Sequence, residues 1–277
     1  MNAMFNLLVA VHNRRATTRR FLDRVYSDGL CENIRIWLLD DGSTDGTLDM
    51  VQERYPSTRI LRGDGSLFWN GAMAQLVQAS FALDSAATVL ANDDIDLRPG
   101  KLREMLSTWE TLQDGRPTVL VGRFVDPELG GTSYSGLRLP NRLRPAALIT
   151  VPKSDEFEQC DTFQGNLVVI PTPLLRTVGG LDAAFTHAYG DVDLGFRLGR
   201  AGARLLVYPG YVGDCAKGPS LRQRAQALKL SARYRLLFGP LRSPRDHARF
   251  LLKHSPLLAP IALPKLLLQR LAWVIKP

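Results

Sequence analysis

The sequence predicts an α/β fold, a mostly parallel sheet flanked by helices, followed by a basic helical C-terminal tail. Three observations carry this. Short apolar runs alternate with helix-period segments through the first half, the pattern of successive strand–helix units. Acidic and small polar residues collect directly after those runs, where open α/β sheets gather their ligands. Charge is divided unevenly: residues 217–277 hold 13 Lys or Arg against the single acid Asp246, a local +12 within a total of +8.

The elements follow in order. Phe5 to Val11 reads as a first core strand, too short to span a membrane and without a small-residue cleavage site behind it. A helix is expected over about 17–26, a strand over 34–39, a helix over about 47–55, a short strand near 59–61 and a helix over about 71–83. The strand 88–91 runs straight into Asn92, Asp93 and Asp94. Pro99 and Gly100 open a helix to about 113, and 119–125 reads as another strand. Residues 126–161, rich in Gly, Pro and Ser, predict loops and short strands. Strands at 167–170 and 204–208 bracket helices at 172–178 and 191–201. Beyond Cys215 the pattern is helical, basic and broken by prolines. With 277 residues the chain suffices for one large core and an appendage, placed at 1–215 and 216–277.

Composition excludes several classes. A hydrophobic content of 45% and a mean hydropathy of −0.07 describe a globular chain. Cys31, Cys160 and Cys215 are odd in number and lack metal-ligand spacing, which argues against a disulfide framework or zinc cage and for a reducing compartment. No run of about 18 apolar residues is present, so no bilayer crossing is expected.

Three clusters carry candidate chemistry. Asp40-Asp41-Gly42-Ser43-Thr44-Asp45-Gly46-Thr47 ends a strand; its carboxylates suit a base N–H or a ribose hydroxyl, and an acidic turn capping the next helix is the plainer alternative. An EF-hand reading fails because Gln52 stands at the twelfth position. Asn92-Asp93-Asp94-Ile95-Asp96 crowds acids whose repulsion a hard divalent ion would relieve. Gly190-Asp191-Val192-Asp193 opens a helix, where acids either cap the dipole or present a general base to a cleft.

In this order the clusters resemble those of family 2 glycosyltransferases, inverting enzymes of the GT-A fold, over about residues 6–212. Val11-His12-Asn13-Arg14 resembles the family's opening turn, Asp40-Asp41-Gly42-Ser43 its nucleotide motif, Asn92-Asp93-Asp94 its metal motif and Gly190-Asp191-Val192-Asp193-Leu194 its base helix, followed by Arg197 and Gly202. The resemblance implies a nucleotide half at about 1–98 and an acceptor half at about 99–215. It implies that Val11, His12, Asn13, Asp40, Asp41, Gly65, Asn70 and Asp93 hold a nucleoside diphosphate sugar. Asp94, with Asp214 nearest to the place of a missing histidine, would bind Mn2+ or Mg2+. Asp191 would be the base, with Gly165, Asn166 and Asp193 on the acceptor side. This sequence departs from the family in having His12 for a tyrosine, Gly190 for an acid, and Gly63 to Gly71 for an asparagine-rich segment.

The implied reaction moves a sugar to a hydroxyl of a glycan or lipid-linked acceptor, in surface polysaccharide synthesis. A catalytically silent sugar-nucleotide-binding module is the rival that Gly190 leaves open. A nucleotidyltransferase would want a glycine-rich phosphate loop after the first strand, which His12-Asn13-Arg14-Arg15 is not. Nucleic acid is not an expected partner, because the bases of this chain of pI 9.7 lie in a Leu-rich tail without interleaved aromatics across a face. That tail is expected to dock on an anionic membrane from the cytoplasmic side; packing on the body or a homo-oligomer contact competes for it.

Overall fold

The computed structural model describes residues 3–29, 32–141, 146–218, 221–239 and 243–275. Cys31 lies outside them, and Cys160 and Cys215 are free thiols. The first half alternates as expected: β1 (Phe5–Val11), α1 (Arg15–Ser27), β2 (Ile34–Asp40), α2 (Thr47–Arg54), β3 (Arg59–Arg62), α3 (Phe68–Ser80), β4 (Ala87–Ala91), β5 (Asp96–Leu97) and α4 (Lys101–Thr111). There follow β6 (Thr118–Val121), β7 (Phe124–Val125), β8 (Thr132–Tyr134), β9 (Gly136–Arg138), β10 (Ile149–Thr150), β11 (Glu158–Gln159), β12 (Thr162–Phe163), β13 (Leu167–Pro171), α5 (Thr172–Thr177), α6 (Gly190–Arg200), β14 (Arg204–Val207) and β15 (Gly213–Asp214). The C-terminal segment holds α7 (Leu221–Gln226), α8 (Leu230–Phe238), α9 (Pro244–His254) and α10 (Ala259–Ile275).

Eight strands form the main sheet in the order β11-β14-β6-β13-β4-β1-β2-β3. The β1, β2, β3 and β4 ladders are parallel, as is β6 with β14, while β13 runs antiparallel between β4 and β6. Its central strands are buried on both faces and read as continuous apolar runs for that reason: β1, β4 and β13 carry Leu7, Leu8, Val89, Leu90, Val168 and Val169 at 0% exposure. One apolar layer packs α1, α2 and α4 on one face, and a second packs α3, α5 and α6 on the other. Because the chain goes on from β1 toward β2 and from β4 toward β6, in opposite directions along the strand order, the crevice beyond the carboxyl ends of these neighbours is the switch point of the sheet, where ligands of such folds gather.

Two details differ from expectation. The apolar run 119–125 is two strands, because the chain leaves the main sheet at Gly122 and enters a four-stranded sheet of order β5-β15-β7-β8. A Cβ at Gly122 would press on Val212 and Leu167 at 3.1 and 3.2 Å. The helix expected from 71 starts at Phe68, whose N–H donates to Asp41 Oδ2 at 3.1 Å; this cap comes from 27 residues away and leaves no local signal.

Candidate active site

The loops after β1 and β2 are stitched together at the switch point. Asp41 N–H donates to Val11 O at 2.9 Å. His12 Nδ1 lies 2.6 Å from Asp41 O; a carbonyl only accepts, so Nδ1 carries the proton and Nε2 accepts from Asn13 Nδ2 at 3.1 Å. Asn13, in the left-handed region at φ 50°, accepts from Thr44 N at 2.7 Å and donates its own N–H to Ser43 Oγ at 2.8 Å. Asp40 is buried, its Oδ1 accepting from Ser43 N and Oγ, and Asp45 accepts the N–H groups of Arg15 and Thr47 at the starts of α1 and α2. The buried Asp41 carboxylate accepts from Gly65 N at 2.8 Å as well as from Phe68 N. Asp40, Asp41 and Gly65 therefore hold the loops after β2 and β3 together at the crevice, and side chains at Gly42 or Gly63 would collide with that packing.

The acidic turn after β4 contains an unforeseen partner. Arg14 Nη1 lies 3.0 Å from both Asp93 Oδ1 and Asp94 Oδ2, and Thr18 Oγ1 donates to Asp93 Oδ2 at 2.8 Å. The Asp93 side chain is 2% exposed and that of Asp94 44%, so one carboxylate is an internal anchor and the other opens to the crevice. Burial raises the Asp93 pKa, and the Arg14 charge and the Thr18 hydrogen bond oppose it.

The third cluster meets the other two through one chain of contacts. Asp191 Oδ2 accepts from Gly165 N at 2.9 Å and its Oδ1 from Val192 N at 2.8 Å. A Cβ on Gly165 would lie 2.7 Å from the Trp69 ring and 3.3 Å from Asp191 Cβ. Trp69 Nε1 donates to Asn92 Oδ1 at 2.7 Å, and Asn92 N–H to Asn166 O at 3.0 Å. Trp69 thus ties the acidic turn to the loop that holds Asp191. Phe68 and Tyr189, also in the left-handed region at φ 53° and 70°, begin the two helices that face each other here.

The departure at Gly190 has a structural cause. Asn70 is fully buried and donates Nδ2 to Asp182 O at 2.9 Å and Phe185 O at 2.7 Å, under the crevice instead of at its surface. A Cβ at Gly190 would overlap Asn70 Oδ1 and lie 2.5 Å from its Cγ. The space of an acidic side chain before Asp191 is filled from α3.

Asp193 is fully buried. Its Oδ2 accepts from Arg197 Nε at 2.7 Å; its Oδ1 lies 2.8 Å from both Lys253 Nζ and His254 Nε2. Burial alone would raise its pKa, but the hydrogen bonds from His254, Lys253 and Arg197 outweigh it and hold the carboxyl well below the usual range. Asp193 is a fastening between α6 and α9, two helices separated by 61 residues at this bond. Around it Tyr189 stacks on Phe250 with centroids 4.8 Å apart, and the buried Asp246 accepts from Thr186 and His187 N–H groups.

Among the described residues no three His, Cys, Asp or Glu side chains converge as a metal cage. The donor chemistry nonetheless suits Mg2+ or Mn2+: such ions are commonly held by one or two carboxylates plus substrate phosphates, Asp94 offers a hard oxygen to the crevice, and a guanidinium already stands there as a cation. Asp214 pairs in register with Asp96 and lies 3.7 Å from Arg98 Nη2. Its neighbour Cys215 accepts from Asn166 Nδ2 at 3.8 Å; burial, then the charge of Asp94, raises its thiol pKa to about 12.

The sequence profile of glycosyl transferase family 2 matches residues 7–169, more than half of the chain. The chain belongs to that family. An N-acetylglucosaminyl-diphospho-decaprenol L-rhamnosyltransferase of Mycobacterium tuberculosis is 27% identical to this family 2 chain over 198 residues, 61% of this chain and 62% of the relative's length, so less than two thirds of that protein is matched. In structure, a mannosyltransferase of Pyrobaculum calidifontis bound to GDP-Man and Mn2+ aligns over 99% of this chain and 74% of its own, with a TM-score of 0.57 and 15% identity. TarS of S. aureus aligns over 90% and 43%, with a TM-score of 0.59 and 12% identity. The fold is of the GT-A type.

Proposed function

We propose that this family 2 chain is an inverting glycosyltransferase that moves a sugar, in keeping with its relative a hexose or deoxyhexose, from a nucleoside diphosphate to a hydroxyl of a lipid-linked or glycan acceptor. The observation that carries the reading is the chain of contacts from Asn92 to Asp191, hydrogen-bonded at both ends and joined by the close packing of the Trp69 ring on Gly165, which links the acidic turn and the candidate base in one frame. Reaction between two bound partners gains most from such mutual orientation.

The Val11-to-Asn13 turn and the loops held by Asp40 and Asp41 seat the base and ribose. The exposed Asp94 oxygen faces the diphosphate, where a Mn2+ or Mg2+ ion, when bound, supplies Lewis-acid neutralisation of the leaving charge. Asp191, oriented by the Gly165 and Val192 N–H groups, takes the proton of the acceptor hydroxyl as its oxygen attacks the anomeric carbon. The carbon–oxygen bond to the diphosphate breaks with its electron pair leaving on the nucleotide, and attack from the opposite face inverts the centre. Gly165 and Asn166 line the acceptor side, and Asp193 supports it by fastening α9.

A lipid-linked acceptor places the work at a membrane surface. No helix among the described residues is long and apolar enough to cross a bilayer. The reading of peripheral attachment rests on α10 and the turn before it, where Leu257, Ile261, Leu268 and Ile275 face outward at 89, 72, 68 and 77% exposure while Arg270 is buried. These positions recur at helical spacing on one face, the form of an interfacial helix.

Transfer from a panel of nucleoside diphosphate sugars, assayed with Mn2+ and with excess EDTA, tests the proposal. We expect transfer from one donor, abolished by EDTA and by Asp94→Asn with the fold intact. Undiminished transfer in EDTA would strip Asp94 of its metal-binding role.

A further inference from the structure

We propose that Arg14 is an internal counter-cation: in the donor-free enzyme its guanidinium holds Asp94 in place of the divalent ion, and cation binding requires Arg14 to let go of that carboxylate. The inference rests on the metal role of Asp94 in the proposed function.

One nitrogen, Nη1, lies 3.0 Å from an oxygen of each carboxylate. The two contacts are unequal. Asp93 is buried and held from its other side by Thr18 Oγ1 at 2.8 Å, so its geometry is fixed with or without a cation in the crevice. Asp94 is 44% exposed and Arg14 47%, so the second contact is made in water's reach and can exchange. The backbone beneath is anchored: Arg14 N–H donates to Thr47 Oγ1 at 3.3 Å, and Asn13 before it is tied to Ser43 and Thr44. A long side chain on a fixed backbone, with one buried and one exposed acid to hold, can pivot away from Asp94 without disturbing the loop.

Electrostatics makes the two cations competitors. A guanidinium and a divalent ion on the same carboxylate would stand within a few ångströms of each other, where like charges repel strongly. Each therefore weakens the other's hold on Asp94. A donor diphosphate changes the balance twice over, since it adds negative charge that attracts the metal and offers the displaced guanidinium a bidentate anion of its own. The consequence is order of binding: free metal is held weakly, and metal with nucleotide diphosphate is held well. The Arg14 charge between them also offsets the repulsion of the two acids.

The test is Mn2+ titration of the full chain without nucleotide, followed by calorimetry or by the electron paramagnetic resonance of free Mn2+. Arg14→Gln is shorter by two bonds and removes the charge while Thr18 still holds buried Asp93, and it should bind Mn2+ roughly three- to tenfold more tightly than wild type, the range for loss of one competing hydrogen-bonded contact in water's reach. Arg14→Lys retains a competing cation and should stay near wild type. Asp94→Asn should lose the site in either background. Arg14→Gln binding unchanged or weaker would overturn the proposal and make Arg14 a support that aims Asp94. Binding of Mn2+ by none of the proteins at millimolar concentration would overturn the metal reading along with it, a result distinct from unchanged affinity.

Discussion

Gly190→Ala is a small change with a calculable consequence. The new Cβ would overlap Asn70 Oδ1, and Asn70 cannot yield cheaply, because it is fully buried and donates to Asp182 O and Phe185 O. Moving it breaks two hydrogen bonds and leaves two buried carbonyls unpaired, at about 1.5–2.5 kcal/mol each, about 3–5 kcal/mol together. Alanine recovers about 0.5–1 kcal/mol over glycine in a helix. The expected net loss is about 2–4 kcal/mol, and Asn70→Ala alone should cost about as much for the same reason. In the double variant the collision is gone, since only Asn70 Cβ, at an ordinary 3.4 Å, remains beside the new methyl. The double variant should therefore be no less stable than Asn70→Ala, a coupling of about 2–4 kcal/mol in a double-mutant cycle. Urea denaturation with a constant m-value measures this. Additive losses in the double variant would refute the claim that Asn70 is what requires glycine before Asp191.

Further outcomes are expected. Asp191→Asn should lower turnover by roughly 10²-fold or more with donor affinity near wild type, as for loss of a general base; near-normal turnover would move the role elsewhere. His247 accepts or donates at 2.7 Å with Tyr189 OH, and burial first and Arg270 second push its pKa down to about 4. The fold therefore prefers the neutral ring: its contribution is whole above the unfolded value of about 6.5 and is lost as pH falls toward 4. Melting temperature should drop across that window, and His247→Gln should flatten the drop; equal slopes would refute it. Ile261→Glu with Leu268→Glu should abolish flotation with anionic liposomes if α10 docks on lipid, and unchanged flotation would assign that face to something else.

The parts of this molecule legible in sequence are those written locally. The strands β1, β2, β4 and β13 are apolar because both sides are covered, and the acids after β2 and β4 and at the start of α6 lie within a few residues of an element boundary. What pattern reading missed depends on partners far away in the chain. Arg14 meets acids 79 and 80 residues on, Asn70 fills the space beside Gly190, and Phe68 is capped by Asp41. No periodicity encodes such contacts, although two of them left a mark: an arginine next to the first turn, and a glycine where an acid was expected. Trp69 gave no such mark, and its ring nitrogen donates to Asn92 Oδ1 across 23 residues.

The C-terminal segment shows where charge counting and packing part company. Its +12 suggests a uniform basic surface, yet several of those charges are engaged by partners within the protein. Lys253 and Arg249 reach Asp182, Lys253 also reaches Asp193, and Arg270 donates within the segment to Leu237 O. The acid Asp246 is buried as a cap for the loop before α6, so it does not dilute the outer charge either. Through Phe250, packed with Leu137, Phe185 and Val192, α9 belongs to an apolar cluster beside α6. The helices α7, α8 and α10 instead share a small core of Ala225, Leu237 and Val274. The cations left to face outward include Lys229, Arg235, Arg245 and, on α10 itself, Lys265. An attachment made this way draws on apolar burial as well as charge, and salt screens only the second. Moderate salt should therefore weaken liposome binding without abolishing it, whereas loss of α9 packing through Asp193→Asn should act on the fold and on transfer, at about 3–5 kcal/mol for a broken buried pair, and leave lipid binding to whatever remains folded.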